Sequence, residues 1–294
     1  MIKKILLTLC LLITLATSAS AQFTFPINHF SSSGGGQDLL EDVLSQTEFD
    51  IVPVDSQTQL NLTETPSSGE SQSAYNAYLG ADGDVTSSDP AYTAGSPNYL
   101  AHDGTDYLTQ IAAYTTFQKA LHKTTSGQAA TIGIAFRTPS SFSATSRLWG
   151  TSGPGGRGIG LIIESSGGLK LQIAADSGTD NWALGSALST STNYYVLVGF
   201  DFTSSTTNVE YWTNTTTGTT DTDGTNGGST TDPITEFSYG SRVRGITSQD
   251  QILENGFRTY AYNGFTGVLS DANAATAFGN ICTRLNINFT GSCL

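Results

Sequence analysis

Apolar and polar residues alternate with a period of two through much of the chain. TIGIAFRT puts Ile132, Ile134 and Phe136 on one face, and GIGLIIES does the same for Ile159, Leu161 and Ile163. Successive strand residues point to opposite faces, so this pattern predicts half-buried β-strands. GLKLQIAAD aligns Leu169, Leu171 and Ile173 after the turn SSGG, which makes residues 159–176 a β-hairpin. The longest alternation, YYVLVGFDFT, aligns Tyr194, Val196, Val198, Phe200 and Phe202. NVEYWTNT follows with Val209 and Tyr211 opposite Glu210 and Trp212. GFRTYAYNG sets Phe257, Thr259 and Ala261 against Arg258, Tyr260 and Tyr262.

LSDANAATAF breaks the alternation with Ser270 placed to cap a helix, Asp271 to meet its dipole and Leu269 to begin a hydrophobic staple. Many strands and one short helix near the C-terminus predict an all-β fold, a sandwich or barrel.

The pattern also divides the chain. Residues 1–21 have basic Lys3 and Lys4, an apolar run from Ile5, and the small residues Ala19, Ser20 and Ala21. This three-part order predicts a secretory signal cleaved near Ala21. The apolar run is short of the roughly 20 residues of a membrane span. Residues 22–73 read as an arm: a flexible SSSGGGQ spacer, a short helix over Asp38 to Leu44, then extended or disordered chain. Residues 74–280 form the predicted sandwich, and residues 281–294 a tail closed by a Cys282 to Cys293 disulfide, as an even pair in an exported chain implies. The histidines show no zinc-ligand spacing with either cysteine.

Losing Lys3 and Lys4 takes the formal charge from −13 to about −15, which repels nucleic acid and anionic lipid. Only 13% of residues are charged, and Thr, Ser, Gly and Asn fill the polar positions, as in an extracellular β-protein rather than a helical one.

In order, the chain carries YLAHDGTDYLT, TIGIAFRTP, LWGTSG, a hairpin, YYVLVGFDFTSSTTNVEYWTN and RTYAYNGFTGVLSDANAATAF. From Ala74 to Phe278 this succession resembles the laminin-G-like members of the concanavalin A-like lectin and glucanase superfamily. The resemblance implies a two-sheet antiparallel jelly-roll sandwich, commonly a carbohydrate- or protein-binding module and often carrying one calcium. The chain departs from the pattern in two places. Five residues, GFTGV, separate YN from LSD, and Asn214 is followed by what reads as a long loop where the family has a tight hairpin.

A retaining glucanase places its two carboxylates about 5 Å apart, commonly at i and i+2 of a strand. Glu48 and Asp50 alone have the ExD spacing, and they lie in the arm, while Glu164, Glu210, Glu236 and Glu254 stand singly. Two-carboxylate hydrolysis is therefore not expected. Calcium is a candidate cofactor, with Asp82, Asp84 and Asp89 in GADGDVTSSDP ahead of HDGTD and DTDGTN. Turn formation alone would account for the same residues. For a glycan, Trp182 in SGTDNWALGS is expected exposed at a rim, with Trp212 and Tyr260 as further platforms, whereas Trp149 is expected in the core. Arg242 and Arg244, grouped with Arg258, could hold a carboxylate or sulfate, or pair with Asp250 or Glu254. Asn61, Asn214 and Asn288 begin NxT sequons.

These features point to a secreted, non-catalytic carbohydrate-binding jelly-roll module whose partner is an extracellular or cell-surface glycan. Two other readings stay open: an adhesive surface protein using the sandwich for protein contacts, and a polysaccharide-degrading enzyme.

Overall fold

The computed structural model describes residues 47–51, 79–80, 91–105, 108–110, 129–152, 158–175, 178–201, 207–224, 237–245 and 248–289. The predicted signal, the helix over residues 38–44 and Cys293 lie outside the described residues.

The strands are β1 (Thr47–Ile51), β2 (Leu79–Gly80), β3 (Ala91–Thr93), β4 (Tyr99–Ala101), β5 (Leu108–Gln110) and β6 (Ala129–Arg137). Next come β7 (Ser146–Ser152), β8 (Gly158–Ile163), β9 (Leu169–Ala175), β10 (Gly178–Ala183) and β11 (Asn193–Asp201). The chain continues through β12 (Thr207–Thr213), β13 (Thr219–Gly224), β14 (Phe237–Tyr239), β15 (Arg242–Gly245), β16 (Ser248–Asp250) and β17 (Arg258–Thr266), then the helix α1 (Asp271–Leu285).

Sheet A runs β13, β12, β11, β6, β17, β4, β3, with β1 also on β17, and sheet B runs β10, β9, β8, β7, β14, β5, β2. The ribbon β15 and β16 stands apart beside β7. Strands distant in sequence, such as β6 between β11 and β17, are antiparallel neighbours. The architecture is the expected two-sheet antiparallel jelly-roll sandwich.

The faces assigned from the alternation meet between the sheets. Ile132, Ile134 and Phe136 of β6 and Val196, Val198 and Phe200 of β11 pack against Ile159, Leu161, Ile163, Leu169, Leu171 and Trp149 of sheet B. The hairpin predicted over residues 159–176 forms between β8 and β9.

The strands of sheet A are not half-buried, however. β6, β11 and β17 are buried along nearly their whole length, because a second core covers the outer face. There Ala135, Tyr195, Leu197, Trp212 and Phe265 meet Leu269 and the helix residues Ala274, Ala277, Phe278, Ile281 and Leu285. Tyr195 packs edge-on against Phe278 with centroids 4.7 Å apart. Gly133 lets this core close onto the sheet: a Cβ there would stand 2.8 Å from Leu197 Cδ2 and 3.0 Å from Tyr195 Oη.

The helix begins as the sequence implied, with the Ser270 hydroxyl accepting from Asn273 N at 3.3 Å. It runs past the predicted stretch to Leu285, because Ile281, Cys282 and Leu285 prolong the apolar stripe, and stops at Asn286 in a left-handed conformation. The segment expected to be a disulfide-closed tail thus starts inside a helix. Cys282 is disulfide-bonded there.

Three further expectations change. Thr47–Ile51, read as part of the arm, is a strand paired with Tyr262 to Phe265 of β17, so Glu48 and Asp50 belong to the sandwich edge. The long loop after Asn214 is instead a hairpin, since Thr219–Gly224 pairs with β12 as β13. Asn214 makes that turn at φ 50°, its Oδ1 accepting from Tyr195 N and its Nδ2 donating to Asn193 O. Finally, a bulge between Thr259 and Ala261 inserts a residue into β17. One extra residue reverses the facing of everything after it, so Tyr260 joins the outer core and Tyr262 the inner one.

Candidate ligand-binding surface

The expected aromatic platforms are closed. Trp182 does not stand in a rim loop: Gly178–Ala183 forms β10 against β9, and this places Trp182 opposite Leu171, in the inner core and 3% exposed. Trp149 is in the core as expected, and Trp212 is fully buried under the helix.

The Trp212 indole N–H donates to Asp271 Oδ1 at 2.8 Å, and Gly218 N donates to the same oxygen at 2.7 Å. These bonds hold the Asp271 carboxyl below its ordinary range. Glu210 alongside is pushed up, first by burial and then by the charge of Asp271. This corner of two carboxylates ties the helix start to the β12 hairpin, an anchoring arrangement that the spacing of the acids did not announce.

Tyr260, 4% exposed, leads to a more open place. Its hydroxyl lies 3.2 Å from Asn193 Oδ1, and its ring stands edge-on to Tyr99 with centroids 6.3 Å apart. Burial raises its hydroxyl pKa, while Arg137 and Arg258 pull the other way. The pairing register explains why both arginines reach it. Asn193 faces Arg137, Arg137 faces Arg258, and Arg258 faces Ala101, across β11, β6, β17 and β4. Directly opposed residues share a sheet face. Ala135, two residues before Arg137, fixes that face as the outer one. Arg258 is exposed, and its guanidinium carbon lies 4.7 Å over the Tyr99 ring. Arg137, Asn193 and Tyr99 are half-buried. Among the described residues neither guanidinium makes an ion pair.

Arg258 therefore groups with Arg137 on sheet A, and not with Arg242 and Arg244, which lie on the β15 ribbon with Arg242 opposite Asp250. Reading the sequence missed Arg137 because its partnership depends on a long-range register. The available hint was that Arg137 and Arg258 each flank a strand whose neighbouring alternate position is apolar.

A third arginine does a different task. Arg147 is 2% exposed on the outer face of sheet B and donates to Gln172 Oε1 at 2.8 Å and Gln251 Oε1 at 3.2 Å. A Cβ on Gly160 or Gly150 would collide with its side chain, so the Arg147 guanidinium packs against backbone that only glycine leaves open.

The preferred calcium ligands Asp82, Asp84 and Asp89 lie outside the described residues. In HDGTD, Asp103 Oδ1 accepts from Thr105 N at 2.8 Å and Thr105 Oγ1 at 2.7 Å, the turn chemistry weighed against metal binding. Asp221 sits within β13. Among the described residues no three His, Cys, Asp or Glu side chains gather as a metal site. His102 is buried with Nε2 3.1 Å from Thr259 Oγ1. Glu164 pairs with Lys170 at 2.6 Å, and Glu254 accepts from Ser143 N at 2.8 Å. No described helix is long and apolar enough to cross a membrane.

No protein-family profile matches the chain, and comparison with curated proteins finds no relative. Among solved structures, the chain is similar to a Trypanosoma rangeli sialidase in complex with the inhibitor DANA, at 16% identity and a TM-score of 0.45 over 64% of this chain. It spans 28% of that sialidase's length. It is also similar to the CBM40 of a Ruminococcus gnavus IT-sialidase bound to α2,3 sialyllactose, at 20% identity and a TM-score of 0.43, covering 60% of this chain and 94% of the other.

Proposed function

We propose that this chain is a secreted, non-catalytic glycan-binding module of the laminin-G-like kind, which takes its ligand on the outer face of sheet A beside the helix. The observation that carries the reading is the row of Asn193, Arg137, Arg258 and Tyr99. It sets an amide, two guanidiniums and an aromatic ring side by side on paired strands. A glycan offers hydroxyl and acid oxygens to such donors and C–H faces to such a ring. Strand-borne groups keep their spacing, which favours recognition by geometry rather than by adaptation. The tryptophans cannot serve instead, because packing covers all of those in the chain.

The test is retention of the full chain, signal removed, on a panel of neutral, uronate-containing and sulfated glycans. Wild type is expected to bind at least one class. Tyr99→Ala and Arg258→Ala are expected to lose that binding with the fold intact by circular dichroism. Retention of no glycan class by wild type, or undiminished binding by both variants, would overturn the reading.

A further inference from the structure

Arg137 and Arg258 are directly opposed across β6 and β17. Like charges in that relation destabilise a sheet. The chain has 25 acidic residues against 12 basic ones, yet among the described residues no carboxylate pairs with either arginine. The register places both side chains on the same face of sheet A, and Arg258 lies with its guanidinium carbon 4.7 Å over the Tyr99 ring.

The third member of the row adds to the same chemistry. The Tyr260 hydroxyl donates to Asn193 Oδ1 at 3.2 Å, which occupies the amide's acceptor. Asn193 Nδ2 is left as a donor with no partner among the described residues. Arginine has five N–H donors and no acceptor. The row thus presents donors and positive charge, whereas a neutral sugar hydroxyl both donates and accepts. A group that only accepts and carries negative charge fits it better.

We infer that Arg137 and Arg258, with Asn193 beside them, form a receptor for one oxyanion, the carboxylate or sulfate group of an acidic glycan. Tyr260 is a positioning residue that turns the Asn193 amide donor outward. The inference rests on the glycan-binding reading and narrows it to acidic ligands.

Two measurements on the full chain test it. In the first, the Nε–Hε resonances of arginine are followed by NMR while sodium sulfate or sodium acetate is added at constant ionic strength. Arg137 and Arg258 are expected to shift together and saturably, Arg147 is not, and Arg137→Gln is expected to abolish the response of Arg258. Absence of a saturable shift with both anions overturns the receptor.

In the second, calorimetry compares a galacturonate oligosaccharide with its methyl ester, and a sulfated galactan oligosaccharide with its desulfated, uncharged form. The preferred acid is expected to bind about 10- to 100-fold more tightly than its neutral counterpart, the range for hydrogen bonds to a charged group. That ratio is expected to fall to about one in Arg137→Gln and Arg258→Gln. Equal affinity of wild type for acid and neutral forms overturns the receptor while the glycan reading stands. Saturable anion shifts with no retention on the glycan panel overturn the glycan reading instead. Which acid wins decides between carboxylate and sulfate.

Discussion

Leu197→Ala tests the second core. By alternation alone Leu197 faces away from Val196 and Val198, and on a half-buried strand it would meet solvent, where truncation changes stability by about 0.5 kcal/mol or less. In the structure Leu197 is fully buried beneath the helix. Removing a buried leucine loses about 1.5–3 kcal/mol of transfer free energy, and the cavity term raises the total to about 2–5 kcal/mol. The upper half of that range is expected, because Gly133 beneath Leu197 has no side chain with which to refill the space. A loss of about 3.5–5 kcal/mol is a large share of the roughly 5–15 kcal/mol that holds a domain together. Urea unfolding followed by tryptophan fluorescence would show a lower midpoint with an unchanged slope. Gly133→Ala offers a check on the reasoning: harmful alone, since its Cβ would press within 2.8 Å of Leu197 Cδ2, it should cost less in the Leu197→Ala background. A loss below about 1 kcal/mol would mean that the helix does not seal this face, and simple additivity of the two changes would mean that Leu197 does not pack over Gly133.

The carboxylate corner predicts opposite pH dependences. Glu210 has a raised folded pKa, so the stability it contributes is full in acid and is lost as pH rises through that value. Glu210→Gln should therefore melt above wild type at neutral pH and converge with it below about pH 4. Asp271 has a lowered folded pKa and contributes above the usual carboxylate range, so Asp271→Asn should melt lower at neutral pH and converge in acid. Thermal melts across pH 3 to 8 check both signs. Deleting residues 22–51 removes β1 and leaves the β17 backbone from Tyr262 to Phe265 unpaired on that side. Hydrogen exchange there should quicken while β8 keeps its protection, and light scattering should report edge-driven association.

How far the structure could be read from the residues follows from the range of the interactions involved. Short-range period two located the strands and assigned Ile134, Val196, Val198 and Leu161 to the inner core. Local cap chemistry at Ser270 located the helix start. The outer core left a trace that the alternation reading passed over: the supposed solvent face of β11 carries Tyr195 and Leu197, which are too apolar for water and required a cover. Trp182 was misplaced because polar neighbours in SGTDNWALGS resemble a loop, although β10 pairs with β9 along its whole length. Tyr260 and Tyr262 were put on one face because a bulge reverses strand parity without a marker in composition. The binding row was the least legible part. Arg137 and Arg258 become neighbours only through the pairing of β6 with β17, a contact between strands far apart along the chain.

Asn214 shows how folding can settle a question of covalent chemistry. It begins the sequence NTT, which an oligosaccharyl transferase would recognise in an extended, accessible segment. Here its amide nitrogen, the atom that would carry the sugar, donates to Asn193 O at 3.0 Å, and its backbone is curled left-handed at the hairpin. The same bond joins β11 to the turn that brings Gly218 to Asp271. A transferase acting after folding would have to unmake the hairpin first, so any glycan at this asparagine would record modification before the chain folded.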